Sequence, residues 1–472
     1  MVFPKEDFLR ATPESMGIDS LAILKALKAI ETSGKEIHSM LIVRHGVLAF
    51  EHYFAPYDRE TLHSMFSCSK TFTSMLIGIA AGKGLLTLDD TVLDWFNDVP
   101  IENRTENLEK MTVRDLLMMG SGHGEDTFGN MVSSDDWERV FLNQSVDHRP
   151  GTHFVYNTGA TYMLSAILTK ATGKTAIELA REWIFDKIGI GEAQWEKSPN
   201  GVSLGGTGLH IRPIDMARFG LLILNGGKWE DEQIIPHEYV LDAQTKHIDN
   251  RNPDDPRQNP NWAAGYCYQM WRCAFDAFRA DGMGGQYIVM LPEKETVFVF
   301  TSALGSDIGY PLDVIKDFLL DGLFDAPLPE DQALQARLAA ESERLCHPKA
   351  APAPEYAFLF DIACKENEID VQRVALTRDT LTVEFPNGKM VLPYAWGAPV
   401  VSQQKVPKGF LMRAPEEMQF ALRGVLGHPY MVLLNPVGSS FSYRIHPYRE
   451  GGKIKLRVHS VWNERVTVLE EA

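Results

Sequence analysis

Apolar residues recur with a helical period over residues 20–32, where Leu21, Ile23, Leu24, Leu27 and Ile30 share one face and Lys25 and Lys28 the other. Met40-Leu41-Ile42-Val43, a turn at Arg44-His45-Gly46 and a second run from Val47 to Phe50 predict a hairpin with glycine at its turn. A comparable pair lies far downstream: Tyr287 to Leu291, a turn at Pro292-Glu293-Lys294, and Val297 to Phe300, followed by a predicted helix near 311–323. Helix and strands at both ends of this stretch predict one sheet closed by its two termini. The middle, roughly 67–250, carries mostly helical patterning interrupted by loops.

Residues 325–354 have the pattern of a connector. Pro327 and Pro329 open it, a short polar helix is predicted from about 330 to 345, and Ala350-Ala351-Pro352-Ala353-Pro354 closes it. Beyond it, strict alternation takes over in Leu381–Phe385, Phe441–Ile445 and Ile454–Val458, predicting a β-rich module. The predicted division is 1–325, 326–354 and 355–472. A chain of 472 residues exceeds what one compact core accommodates, which supports two domains.

Charge narrows the function classes. A formal net charge of −17 disfavours nucleic acid or an anionic membrane as the main partner. Cys68, Cys267, Cys273, Cys346 and Cys364 form neither a disulfide framework nor a zinc-ligand pattern. The N-terminus has no basic, apolar and cleavable signal segment, and no apolar run is long enough to span a bilayer. The reading is a soluble, cytoplasmic protein, which a removed signal peptide would change.

The sharpest chemical signal is Ser67-Cys68-Ser69-Lys70, followed by Phe72, Met75, Leu76 and Ile79 at helical spacing. A spacing of three places Ser67 and Lys70 on one face of the first turn of a buried helix. A serine hydroxyl needs a base to become a nucleophile, and a lysine amine serves only if desolvation lowers its pKa. The spacing alone is weak: Ser402-Gln403-Gln404-Lys405 repeats it in what reads as a surface loop. Gly201-Val202-Ser203-Leu204-Gly205 matches a hydrolase elbow but lacks the strand and helix such an elbow needs.

Two later segments add to Ser67. Tyr156-Asn157-Thr158 heads a helix carrying Tyr162, Met163, Ile167 and Leu168; its bland reading is an aromatic core residue with an Asn or Thr cap. Asp281-Gly282-Met283-Gly284-Gly285-Gln286 leads directly into a strand, where glycines allow close approach of a substrate, or simply a tight turn. His123, Trp262, Tyr266, Tyr268 and Trp271 read as structural before they read as cleft walls.

In this order and spacing the three segments resemble the penicillin-recognising serine hydrolases, among them class C β-lactamases, family VIII esterases, D-amino-acid peptidases and 6-aminohexanoate-dimer hydrolase. Leu86–Asp90, Met111–Leu117, Gly120–His123, Gly205–Leu209 and Asp215–Phe219 add to the likeness, which covers about residues 10–325 and leaves the β-rich tail outside. It implies a sandwich of an antiparallel sheet flanked by helices, with a helical subdomain and the active site between them. It implies Ser67 as nucleophile, Lys70 as base or proton relay and Tyr156 as proton shuttle, without settling which of the two activates Ser67. The backbone N–H groups of Ser67 and Gln286 would form the oxyanion hole, with Asn157, Thr158, Met283, Gly284 and Gly285 facing substrate. No metal or cofactor is implied; the partner would be a small-molecule or peptide substrate, and a homodimer is left open.

Two departures shape the expected substrate. Thr158 stands where relatives carry asparagine or serine, and Met283 where they carry lysine or histidine. A thioether cannot hold a substrate carboxylate, so esters and neutral amides are expected and β-lactams are not. The rival expectation is a catalytically silent member that binds a ligand or partner.

Overall fold

The computed structural model describes residues 1–355, 357–407, 416–426 and 430–472. Helix α1 (Ser20–Ser33) is capped by the Asp19 carboxylate and stopped by Gly34 in the left-handed conformation, close to the predicted span. It leads into β1 (Glu36–Arg44) and β2 (Val47–Tyr53), the predicted hairpin. The remaining strands of this sheet come from the far end of the stretch: β3 (Trp271–Arg272), β4 (Phe278–Gly282), β5 (Gln286–Leu291) and β6 (Thr296–Ala303). The order is β2-β1-β6-β5-β4-β3, and the pairings are antiparallel, so the two termini of the stretch do close one sheet.

Both faces of this sheet are covered, which explains its continuous apolar runs. Leu41, Val43, Ile288, Val297 and Val299 point into one core with helices α2 (Ser69–Gly82), α3 (Thr158–Thr172) and α4 (Pro213–Leu224). Met40, Ile42, Tyr287, Phe298 and Phe300 point the other way, against α1 and the helical segment 310–322. That segment matches the predicted helix near 311–323 but widens into a π turn at Ile315–Leu319 and tightens at Leu320–Gly322. Close packing of α4 on the sheet needs Gly220: a Cβ there would lie 2.6 Å from Ile288 and 2.7 Å from Val297.

The connector helix α5 (Gln332–Cys346) joins the second core through Leu338. After it come β7 (Phe360–Ala363), β8 (Arg373–Leu376), β9 (Thr380–Phe385) and β10 (Gly388–Pro393), paired in sequence order. A seven-stranded sheet follows, with β12 (Glu417–Gly424), β13 (Val432–Pro436), β14 (Tyr443–Glu450), β15 (Lys453–Ser460) and β16 (Arg465–Glu470) in order. β11 (Val400–Lys405) and Ala395–Trp396 both pair with β12. These two sheets enclose a third core running from Phe360 to Leu469. The second Ser-x-x-Lys, read as a loop, lies instead on β11, where alternate residues face outward.

The aromatic pair behind α2 sets a testable value. Phe72 is fully buried and stacks on Phe219 with ring centroids 3.6 Å apart. Phe72→Ala should destabilise the protein by about 3–5 kcal/mol, read as a lower midpoint of urea unfolding.

Candidate active site

Ser67 sits in a single 3-10 turn, Phe66–Cys68, immediately before α2. The turn is forced by the chain on either side. Phe66 adopts a positive φ of 44°, a costly conformation for an aromatic residue. Met65 N–H bonds to Leu209 O at 2.8 Å, and Ser69 Oγ donates to Phe66 O at 2.6 Å while accepting from Leu209 N–H at 3.2 Å. Held this way, the Ser67 side chain is half-buried at the head of the helix.

Lys70 follows one turn later and is 1% exposed. Its Nζ lies 3.0 Å from Ser67 Oγ, 3.2 Å from Thr158 Oγ1 and 2.8 Å from Gly206 O. Three acceptors match the three N–H bonds of an ammonium, yet there is no carboxylate among them. Burial therefore dominates and brings the Lys70 pKa down to about 7, with the more distant Asp126 charge opposing. The carbonyl of Gly206 reaches Lys70 because the glycine loop lies directly on α3: a Cβ at Gly206 would come within 2.9 Å of Thr158.

Tyr156 completes the group. Its hydroxyl is hydrogen-bonded to Ser67, and the Lys70 ammonium lies 4.9 Å from its ring centroid. Burial pushes the phenol pKa well above its ordinary value, outweighing the bond to Ser67. Trp271 stacks on the ring at 5.3 Å and Tyr266 meets it edge-on at 6.1 Å. Thus part of the aromatic group read as core forms the wall behind Tyr156. Asn157, next in the chain, is buried, and its Oδ1 accepts from Ala160 N–H, Thr127 N–H and the Thr127 hydroxyl, the cap of α3. Thr158 instead faces Lys70, and its N–H bonds to Asp126 at 2.9 Å.

The third segment crosses beside the turn that holds Ser67. Gly282 passes so near that a Cβ would sit 2.3 Å from Met65 O. Gly284 and Gly285 turn with φ of 78° and 87°, and Met283 is 47% exposed at the tip. Gln286 opens β5 with its side chain buried, and its backbone carbonyl accepts from the Cys68 thiol. Its Nε2 donates to Met283 O at 3.1 Å, Ser302 O at 2.8 Å and Ser440 Oγ at 2.6 Å. Next to it, Arg279 and Asp281 form a buried ion pair of 2.8 Å, with Trp262 4.8 Å from the guanidinium.

Ser440 belongs to the β-rich tail, which lies beyond the stretch that the family resemblance covers. Phe441 and Trp462 accompany it, with ring centroids 6.4 Å and 5.7 Å from Phe66. Gly438 O accepts from Ser64 N–H at 2.8 Å. No motif marks these residues in the sequence; only Gly438-Ser439-Ser440 signals a turn between strands. His123 is buried against Ser121, as its structural reading expected. Ser203 of the elbow-like match is also buried, and its hydroxyl accepts from Ile177 N–H at 3.4 Å.

An antiparallel sheet with helices on both faces, and a serine, a buried lysine and a tyrosine converging between sheet and helices, define a recognisable class of hydrolase. The family model described as beta-lactamase matches residues 28–310, and the chain belongs to that family. Penicillin-binding protein 4* of Bacillus subtilis (strain 168) is 23% identical over 175 residues, 33% of this chain and 37% of that protein. D-aminopeptidase of Brucella anthropi is 28% identical over 174 residues, 32% of this chain and 31% of that protein. The matched stretch therefore spans about a third of the length of these curated relatives. The octameric penicillin-binding protein homologue from Pyrococcus abyssi superposes with a TM-score of 0.50 at 18% identity, over 95% of this chain and 99% of that one. That likeness in fold extends through the tail, further than the sequence motifs reach. Among the described residues no helix is long and apolar enough to cross a membrane.

The Asp126 charge acts on Lys70 with a definite sign. It favours the ammonium, so Asp126→Asn should lower the Lys70 pKa below its value of about 7. Nitrogen NMR of labelled lysine, titrated in both proteins, measures the change; an unaltered or raised pKa would contradict the assignment.

Proposed function

We propose that the protein is a serine hydrolase forming an acyl-enzyme on Ser67, acting on esters or amides of small molecules or peptides and poorly on β-lactams. The observation that carries this reading is a fully buried lysine 3.0 Å from a serine hydroxyl, with its pKa brought down to about 7. As a neutral amine Lys70 keeps two N–H bonds for Gly206 O and Thr158 Oγ1 and turns its lone pair to Ser67, which then becomes the donor. Tyr156, with its phenol pKa raised, is a poor base at neutral pH, which supports Lys70 as the group that activates Ser67.

In this scheme Ser67 Oγ attacks the carbonyl carbon as its proton passes to Lys70. The oxyanion is received by the backbone N–H groups of Ser67 and Gln286. Collapse breaks the bond to the alcohol or amine, which takes the Tyr156 proton, and Lys70 restores it. Water then attacks the acyl-enzyme by the same path in reverse. The exposed Met283 offers no charge to a substrate carboxylate, which supports neutral acyl groups. Residues 1–325 would form the hydrolase domain, 326–354 a linker and 355–472 an accessory domain that lends Ser440, Phe441 and Trp462 to the cleft.

A fluorophosphonate tests the reading: intact mass should show one adduct on the wild type and none on Ser67→Ala. Labelling should accelerate as pH rises through about 7, because Lys70 loses its proton there. Lys70→Met should slow labelling by a factor of about 100 or more. No adduct on folded wild type would point instead to a ligand-binding member of the family. Ser440→Ala removes one acceptor from the Gln286 amide and should lower kcat/KM for a short-chain ester about three- to tenfold, leaving the midpoint of the pH profile in place.

A further inference from the structure

A cavity of about 630 Å³ lies where the start of β1 faces the seven-stranded sheet, and its lining includes none of Ser67, Lys70 and Tyr156. Lys35, His38 and Tyr57 form one side. The other is set by strand register: Arg423 on β12 is opposite Leu433, Leu433 is opposite Arg444, and Arg444 is opposite His459. Cross-strand partners share a face, so Arg423, Arg444 and His459 project together into the cavity. Two strand spacings separate the backbones of the two arginines, about 10 Å, within reach of one small molecule between their side chains.

The half-buried Arg59 and Arg212 and the buried Arg279 each pair with a carboxylate. Arg423 and Arg444 are also half-buried, yet neither has a carboxylate within 4.0 Å among the described residues. Arg444 reaches only Gly34 O, at 3.4 Å. Of the carboxylates that line the cavity, Glu36 bonds to Asn435 and, at 2.7 Å, to Ser442, lies 3.6 Å from His38 and feels the Arg423 charge from beyond ion-pair distance, while Glu31 pairs with Lys28 and Arg344. The Tyr57 hydroxyl, buried and lining the same cavity, has no hydrogen-bond partner. Two guanidiniums without a carboxylate in contact and a phenol donor thus converge in a chain whose net charge is −17.

We propose that this cavity binds a small dianion, a dicarboxylate or a phosphate monoester, gripped by Arg423 and Arg444 with Tyr57 as a further donor. Guanidinium forks match both oxygen geometries, and partial burial strengthens the charge-assisted bonds. The ligand would sit between β1 of the first sheet and the sheet of the tail, tying the two together. The assignment does not depend on hydrolysis at Ser67.

Isothermal titration calorimetry of the full-length protein with succinate and, separately, inorganic phosphate tests it. Saturable binding of at least one probe is expected, weakened about tenfold or more in Arg423→Gln and in Arg444→Gln. Arg449→Gln removes the same charge from the opposite face of β14 and should bind like wild type. Preference for succinate would identify the dicarboxylate, and preference for phosphate the phosphate ester. Should the arginine variants fail to fold, Tyr57→Phe should still weaken binding. The proposal is overturned if neither probe saturates the wild type, or if Arg449→Gln weakens binding as much as the cavity variants do.

Discussion

The arrangement around Ser67 depends on keeping one lysine out of water without giving it a counter-ion. A fall in pKa from 10.5 to about 7 corresponds to roughly 5 kcal/mol against the ammonium. Folding can tolerate this because the turn before α2, the start of α3 and the Gly205–Leu209 loop supply three neutral acceptors in place of solvent. A carboxylate in any of these positions would restore the charge and raise the pKa again. The largest charge favouring the ammonium is that of Asp126, exposed and reaching Lys70 through space rather than by contact.

The rest of the site is a set of close backbone approaches that hold this lysine to its serine. Gly206 brings a carbonyl against α3, Gly282 lets β4 pass beside Met65, and Phe66 accepts a positive φ so that Ser67 faces the cleft. Strain of this kind persists only where the surroundings over-determine the chain. Here they do so from three directions: β5 through Cys68 and Gln286, the Leu209 strand, and the aromatic rings of the tail.

Much of this was legible in the amino-acid order. The hairpins at 40–50 and 287–300 announce themselves by apolar runs, and Ser67, Lys70 and Tyr156 by spacing before buried helices. What could not be read follows from how side chains find partners across long separations. Asn157 and Thr158 are adjacent, yet helix geometry turns one inward to cap α3 and the other toward Lys70. Trp271 has the composition of a core residue, and only its stacking on Tyr156 makes it part of the cleft. The alternating pattern of the tail specifies strands, but not that the turn between β13 and β14 reaches Gln286. Nor does Ser402-Gln403-Gln404-Lys405 reveal that it lies on a strand, where the same spacing cannot bring a base to a hydroxyl.

The contact between Gln286 and Ser440 joins positions 154 residues apart. A ribosome adds about 5–20 residues per second, so the strand that would carry the oxyanion donor is made about 8–30 seconds before the serine that steadies its side chain. During that interval the nascent chain can close its first sheet, since β1 to β6 are already present, but the cleft lacks the ring pair that covers Phe66. The order of synthesis thus imposes an order of maturation: the finished cleft appears only once residues as far as Trp462 have emerged.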